Sequence, residues 1–274
     1  MSTWVFNIFE RRKAMAITQF PLHAVIRRPP TIPVSSAVFD DPTPKKDRHA
    51  ADPLKNRVDI IRISQYLVRE KRFRDNLMFI MGINFGFRCS DLVKIKIGHV
   101  LNFDGYDTDG TPLLSYKASI TLQEQKTKKL RTVYLNKAIY RALDLYFDNI
   151  STPVDFDWYF FRSESNRCTS NKPLEVKSVE RILKEVINEK MGIDVHASTH
   201  LLRKTFGYQV VMSAPDRSRA IEFLQTVFNH KSPVITMAYI GITSEEIMSV
   251  YQNLNLGDED DLDFFECSGL SRAS

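Results

Sequence analysis

The sequence predicts a mainly α fold with a small antiparallel β-sheet, an α+β arrangement. Three observations predict it. Apolar residues recur at helical spacing over most of the chain beyond residue 53. Two short runs, residues 116–122 (YKASITL) and 131–135 (RTVYL), have strand composition and flank a polar connection. No internal repeat interrupts this pattern.

The elements follow in order. Seven of the twelve prolines lie in residues 1–53. Proline removes backbone donors and blocks helix continuation, so residues 1–52 are expected to form a proline-rich, partly extended arm. Its basic pairs Arg27-Arg28 and Lys45-Lys46 suit either phosphate contact or a solvated linker. A folded domain is expected over residues 53–256. Ile60, Ile63 and Leu67 predict a helix over 54–70, and Leu77, Phe79, Ile80 and Ile83 a second over 73–86. Gly86 suits its end, and Ser90-Asp91 can cap a short helix running through Lys94. The two strands then enclose residues 123–130 as a hairpin connection. Helices are expected at 137–148, 176–190, 198–212, 217–227 and 244–254, with Trp158–Phe161 as an extended aromatic piece. Residues 257–274 are expected to be an acidic, disordered tail: the run 258–266 holds six acids and no base.

Composition narrows the function classes. A net charge of +5 and an isoelectric point near 9.0 fit a nucleic-acid partner without requiring one. The three cysteines, Cys89, Cys168 and Cys267, are widely spaced, and no Cys/His cluster has zinc spacing. This reads as a reducing, cytoplasmic setting. No apolar stretch is long enough to span a membrane. The apolar start Trp4–Phe9 is cut short by Glu10-Arg11-Arg12-Lys13 and does not make a secretory signal core.

The chemistry resides in an ordered set. Arg88 opens Arg88-Cys-Ser-Asp91; His200 and Arg203 stand three apart on one expected helix; His230 precedes Tyr239 by nine residues. A phosphodiester repels nucleophiles, so an enzyme must surround its nonbridging oxygens with cations and donors. Arginine grips phosphate with a planar fork. A tyrosine hydroxyl, with an ordinary pKa near 10, needs a base or a positive field to attack. The leaving oxygen needs a proton donor such as lysine or histidine. Asp91 is placed to pair with Arg88. Alone, each residue has an ordinary structural explanation; the ordered combination suits phosphoryl transfer through a tyrosine.

Arg88-Cys-Ser-Asp91-Leu92, Lys126-Thr-Lys-Lys-Leu-Arg131-Thr-Val, Thr199-His200-Leu-Leu-Arg203-Lys204-Thr205-Phe and Phe228-Asn-His230-Lys231-Ser…Tyr239 together resemble the tyrosine recombinase (phage integrase) family, across residues 54–254. The resemblance implies the tyrosine recombinase catalytic-domain fold. It also implies a site-specific DNA recombinase that integrates, excises or resolves the DNA of a phage or mobile element. In that reading Tyr239 attacks the scissile phosphate and forms a 3′-phosphotyrosyl link. Arg88 and Arg203 hold the nonbridging oxygens. His200 takes the tyrosine proton or hydrogen-bonds the phosphate, and His230 adds a donor. Lys126 protonates the leaving 5′-oxygen, in competition with Lys128 and Lys129 of the same turn. Asp91 supports Arg88. Lys128, Lys129, Arg131, Lys204 and Lys231 are expected DNA contacts. Neither a metal nor another cofactor is implied.

The implied partner is double-stranded DNA on the nucleoid of a bacterium or its phage, bound by a homotetramer across two sites. The helix at 244–254 would dock on a neighbouring subunit. Two departures stand out: Asn229 replaces the glycine usual before His230, and Lys204 follows Arg203 where a histidine is common. Asparagine tolerates the left-handed backbone such a turn needs. The 52 residues ahead of the domain are fewer than the family's separate core-binding domain, so half of the DNA clamp and its counterion release are expected to be missing. An accessory DNA-binding protein would then supply that half. Two further readings stay open here, an accessory protein with cleavage unused and a type IB topoisomerase-like relaxer.

Overall fold

The computed structural model describes residues 51–150, 154–163 and 171–242, together with the backbone of two short upstream strands, Gln19–Phe20 (β1) and Val25–Arg27 (β2). The chain divides into two compact units, Met1–Ser36 with His49–Val210, and Ala37–Arg48 with Val211–Ser274. This division runs differently from the boundaries expected at residues 52 and 256. The remainder of the arm, the expected helix at 244–254 and the acidic tail lie outside the described residues.

In the first unit, α1 (Arg57–Arg69) starts where the Asn56 side chain accepts the Val58 N–H, and it buries Ile63 and Leu67. Helix α2 (Phe73–Phe85) is buried on almost every side, through Leu77, Met78, Phe79 and Met81 among others. Its run of residues 77–83 is apolar on every face, the mark of a core helix. It stops at Gly86, whose φ of 59° is left-handed. A Cβ on Gly86 would collide with the Phe206 ring. The next helix, α3 (Cys89–Leu92), takes Arg88 as its N-cap residue; the expected cap at Ser90-Asp91 lies inside it.

The sheet is richer than expected. Strands β3 (Leu101–Tyr106) and β4 (Pro112–Tyr116) pair antiparallel across a bulge at Phe103/Gly105. Strand β2 adds to the other edge of β4 in parallel, Val25 opposite Leu113. The small antiparallel sheet expected from the sequence is present, and this strand adds one parallel pairing that the proline-rich composition around it obscures. The predicted strand at 116–122 divides in two: Tyr116 closes β4, and β5 begins at Ser119. Strands β5 (Ser119–Gln123) and β6 (Leu130–Tyr134) form the expected hairpin. The short β7 (Val154–Asp155) pairs with β1. Residues 158–161 are turn-like, with Tyr159 bridging Lys96, and bury Phe160 and Phe161.

Helix α4 (Lys137–Phe147) is capped by Asn136. Helix α5 (Val176–Lys184) continues as a π-helical stretch, Glu185–Lys190, where Arg72 binds Glu185 at 2.8 Å. One core joins these elements, with Tyr146 and Phe147 packed edge-on against Phe160 at 5.4 and 5.8 Å. Each such buried side chain contributes about 1.5–3 kcal/mol. Helix α6 (His200–Ser213) lies close to α2, since a Cβ on Gly82 would stand 2.6 Å from Leu202 Cδ1.

The second unit holds α7 (Arg217–Phe228), capped by the Asp216 carboxylate, and α8 (Pro233–Ile240). Helix α8 falls outside the helices expected from the sequence. No helix among the described residues is long and apolar enough to cross a membrane.

Candidate active site

The C-terminus of a helix leaves carbonyls without intrahelical partners and carries the negative end of its dipole. In the first unit, that end of α2 gathers arginines. Arg203 Nη1 donates to Gly86 O at 2.7 Å. Arg131 Nη1 donates to the same oxygen at 3.1 Å, and Arg131 Nη2 donates to Phe85 O. The Arg131 guanidinium also lies 4.7 Å from the Phe87 ring centre. Arg88 stands two residues beyond Gly86 and turns its Nη1 to Glu124 Oε2 at 2.9 Å.

Glu124 ties the cluster together. Its other oxygen, Oε1, lies 3.5 Å from Arg131 Nη1 and 3.9 Å from Arg203 Nη1. The residue is 4% exposed. Burial works against its charge, but the Thr127 hydroxyl and Arg88, followed by Arg203, outweigh it and hold the carboxyl below the usual glutamate range. Asp91 does not pair with Arg88 as expected. Arg88 is the extended residue before α3 (φ −65°, ψ 148°), so the two are not on one helical face. Asp91 Oδ1 instead accepts the Gln125 N–H at 2.9 Å and fixes the hairpin loop.

Lys126 is exposed in that loop, between Gln125 and Thr127. His200 opens α6, its N–H on Ser198 Oγ at 3.3 Å. The residue is exposed as a whole, yet its imidazole is held below the ordinary histidine value. Partial burial is the first cause; Lys204, Arg203, Arg88 and Lys126 follow. The neutral form of His200 is thus favoured. Lys128 and Lys129 are exposed. Arg131 and Lys204 are placed differently. Arg131 directs its donors at backbone carbonyls, and Lys204 is 6% exposed within α6.

The second unit carries the remaining candidates. Helix α7 ends at Asn229, left-handed at φ 57° and ψ 47°, as its substitution for glycine anticipated. This turn presents His230, whose Nδ1 is 3.1 Å from Thr236 Oγ1. Ser232 caps α8 by accepting the Ile235 N–H, and Pro233 supplies its first turn. Tyr239 lies in the last turn. Phe228, His230 and Tyr239 pack ring against ring, with His230–Tyr239 centroids 5.0 Å apart. Lys231 is exposed.

Two residues escaped the sequence reading, Glu124 and Thr236. Neither carries a local signal, since each acts through partners fixed by the fold. Helix α8 did have one, the Ser232-Pro233 start. Among the described residues no group of three or more His, Cys, Asp or Glu is placed to hold a metal ion.

The Phage integrase family model matches residues 55–246, a span containing every candidate above. A probable integrase/recombinase of Bacillus subtilis, YoeC, is 30% identical over 204 residues, covering 74% of this chain and 97% of that protein. Tyrosine recombinase XerC of Leptospira interrogans is 25% identical over 181 residues, 65% of this chain, and the chain spans about 50% of XerC's length. Among solved structures, the XerA recombinase superposes with a TM-score of 0.53 at 22% identity, covering 76% of this chain and 67% of its own. XerH, solved on a palindromic difH substrate after cleavage, gives 0.50 at 14%, with 74% and 53% covered. At these identities the two structures speak for the fold alone. The chain belongs to the phage integrase family, the tyrosine-type site-specific recombinases.

Proposed function

We propose that this recombinase cleaves and rejoins double-stranded DNA through a 3′-phosphotyrosyl intermediate on Tyr239. The observation that carries the reading is the assembly of Arg88, Arg131 and Arg203 around the C-terminus of α2 and one buried carboxylate. Gathering three like charges is costly, and the arrangement has a use when an anion meets it. Arg88 and Arg203 take the nonbridging oxygens of the scissile phosphate. The Tyr239 oxygen forms a bond to phosphorus as the bond to the 5′-oxygen breaks. The tyrosine proton passes to neutral His200, and Lys126 supplies a proton to the leaving 5′-oxygen. His230 adds a hydrogen bond to the phosphate. A 5′-hydroxyl from a second strand reverses the step and joins new partners.

Lys128, Lys129 and Lys231 track the DNA backbone in this reading. Two sites and four protomers make the synapse, on the DNA of a phage or mobile element in the cytoplasm. Residues 244–254 link the protomers. The family match favours strand exchange over the accessory and relaxer readings.

Covalent capture tests the proposal. Wild-type and Tyr239→Phe proteins are incubated with genomic DNA, denatured in detergent and recovered, and the attached DNA is sequenced. Site-focused adducts from the wild type alone are the expected result. No adduct from protein that still retards DNA in a gel overturns the cleavage reading.

A further inference from the structure

We infer that Glu124 is a positioning residue that couples the Arg88/Arg203 anion pocket to Lys126, so that phosphate binding and leaving-group protonation share one anchor. The inference rests on the proposed function. It concerns a residue outside the expected site set.

One carboxylate faces both ways. Oε2 of Glu124 accepts Arg88 Nη1 at 2.9 Å and the Thr127 hydroxyl at 2.8 Å. Thr127 is the neighbour of Lys126. On the other side of Lys126, the Gln125 N–H donates to Asp91 Oδ1 at 2.9 Å. Both residues flanking Lys126 are thus held by carboxylates that are each 4% exposed. The Glu124 backbone closes the same loop, its N–H on Lys129 O and its carbonyl accepting the Lys128 N–H, both at 2.9 Å. Lys128 has a left-handed backbone at φ 57°, and the Lys129 N–H donates to Thr127 Oγ1 at 3.4 Å. Lys128 and Lys129 are bonded within the loop itself, whereas Lys126 is the loop lysine whose two neighbours are both held by buried carboxylate side chains of the arginine site. Its side chain remains exposed, able to reach a substrate atom.

Glutamate also balances the pocket. It lies within 3.9 Å of a guanidinium nitrogen on each of Arg88, Arg131 and Arg203. Removing its charge while keeping its shape frees Arg88 from one fixed partner and releases the Thr127 side of the loop together.

The test uses Glu124→Gln in the full chain and single-turnover cleavage of two DNA substrates. One has the natural 5′-oxygen at the scissile phosphate; the other has a bridging 5′-sulfur, a leaving group that needs no proton. Glu124→Gln is expected to slow cleavage of the oxygen substrate about ten- to a hundredfold, the range for a hydrogen bond to a charged group. On the sulfur substrate most of that loss is expected to disappear, as it should for Lys126→Ala. Equal loss on both substrates, or wild-type rates on both, overturns the coupling. Thr127→Val is the second variant, which leaves the buried carboxylate in place: it should show the same substrate dependence with a smaller loss, and it decides the matter if Glu124→Gln does not fold. Wild-type protein that forms no Tyr239 adduct on either substrate would remove the functional reading as well, a result distinct from failure of the coupling alone.

Discussion

The arginine cluster and the tyrosine segment are built by opposite means. Arg88 reaches Glu124 across 36 residues, and Arg203 reaches Gly86 across 117. His230 meets Thr236 across 6. The first region is buried, with Arg203 3% exposed and Glu124 4%; His230 and Tyr239 are half-buried on a short turn and helix. The difference follows from charge. Clustered guanidiniums repel one another by a few kcal/mol per pair, on the order of 4 at close range near a protein surface. Only carbonyls and a carboxylate fixed by tertiary structure offset that. A tyrosine carries no charge before it reacts, so a capped helix of eight residues is enough to present it. The arginine cluster thus depends on tertiary contacts within the first unit, the Tyr239 segment on local structure.

The largest expected effect separates chemistry from fold. Tyr239→Phe keeps the ring contacts with Phe228 and His230 and should leave the melting temperature nearly unchanged, while cleavage falls on the order of 10⁴-fold or more. Gly86→Ala attacks the other half. It combines left-handed strain of about 1–2 kcal/mol with overpacking of about 1–3 kcal/mol against Phe206. It also displaces the carbonyl that holds Arg131 and Arg203. Denaturant unfolding should show a loss of about 2–5 kcal/mol; a loss below about 1 would contradict the tertiary account of the cluster.

The pH profile comes next. With His200 held below its ordinary value near 6.5, the imidazole stays neutral until the pH drops past that depressed point. Cleavage should fall about tenfold per unit below it, and His200→Asn should remove that acid limb. The stability sign agrees: a histidine depressed in the folded state stabilises at pH above its unfolded value and loses that contribution as pH falls through the folded one. Thr236→Val should cost about tenfold in cleavage through a misplaced His230, about the worth of one hydrogen bond. Smallest is Asn229→Gly, which relieves a left-handed asparagine and should stabilise by about 0.5 kcal/mol, measured by thermal melting.

What was legible in the sequence follows the same contrast. Helices α1 and α2 announce themselves by Ile60, Ile63, Leu67 and the Gly86 stop, and the β5–β6 hairpin by its polar turn. The candidate residues were legible as an ordered set, because spacing survives in sequence. Their partners were not. Arg88 looked paired with Asp91 on helical spacing, yet Arg88 precedes the helix, and the acid that meets it comes from a distant strand end. Strand β3 escaped because Asn102, Asp104 and Gly105 are poor strand formers and most of its residues are exposed. Helix α8 escaped because Val234, Ile235 and Thr236 favour strands by composition; Ser232 and Pro233 decide the matter locally.

Strand β2 carries a practical consequence. It covers one edge of β4 along Leu113, Leu114 and Ser115, while β3 covers the other. A chain trimmed to the family-matched span, residues 55–246, would lose Val25–Arg27 and leave that edge with open backbone donors and acceptors. Unpaired edges recruit other strands. A shortened protein made for crystallisation or assay should therefore lose solubility before it loses its site, and keeping the upstream strand is the remedy.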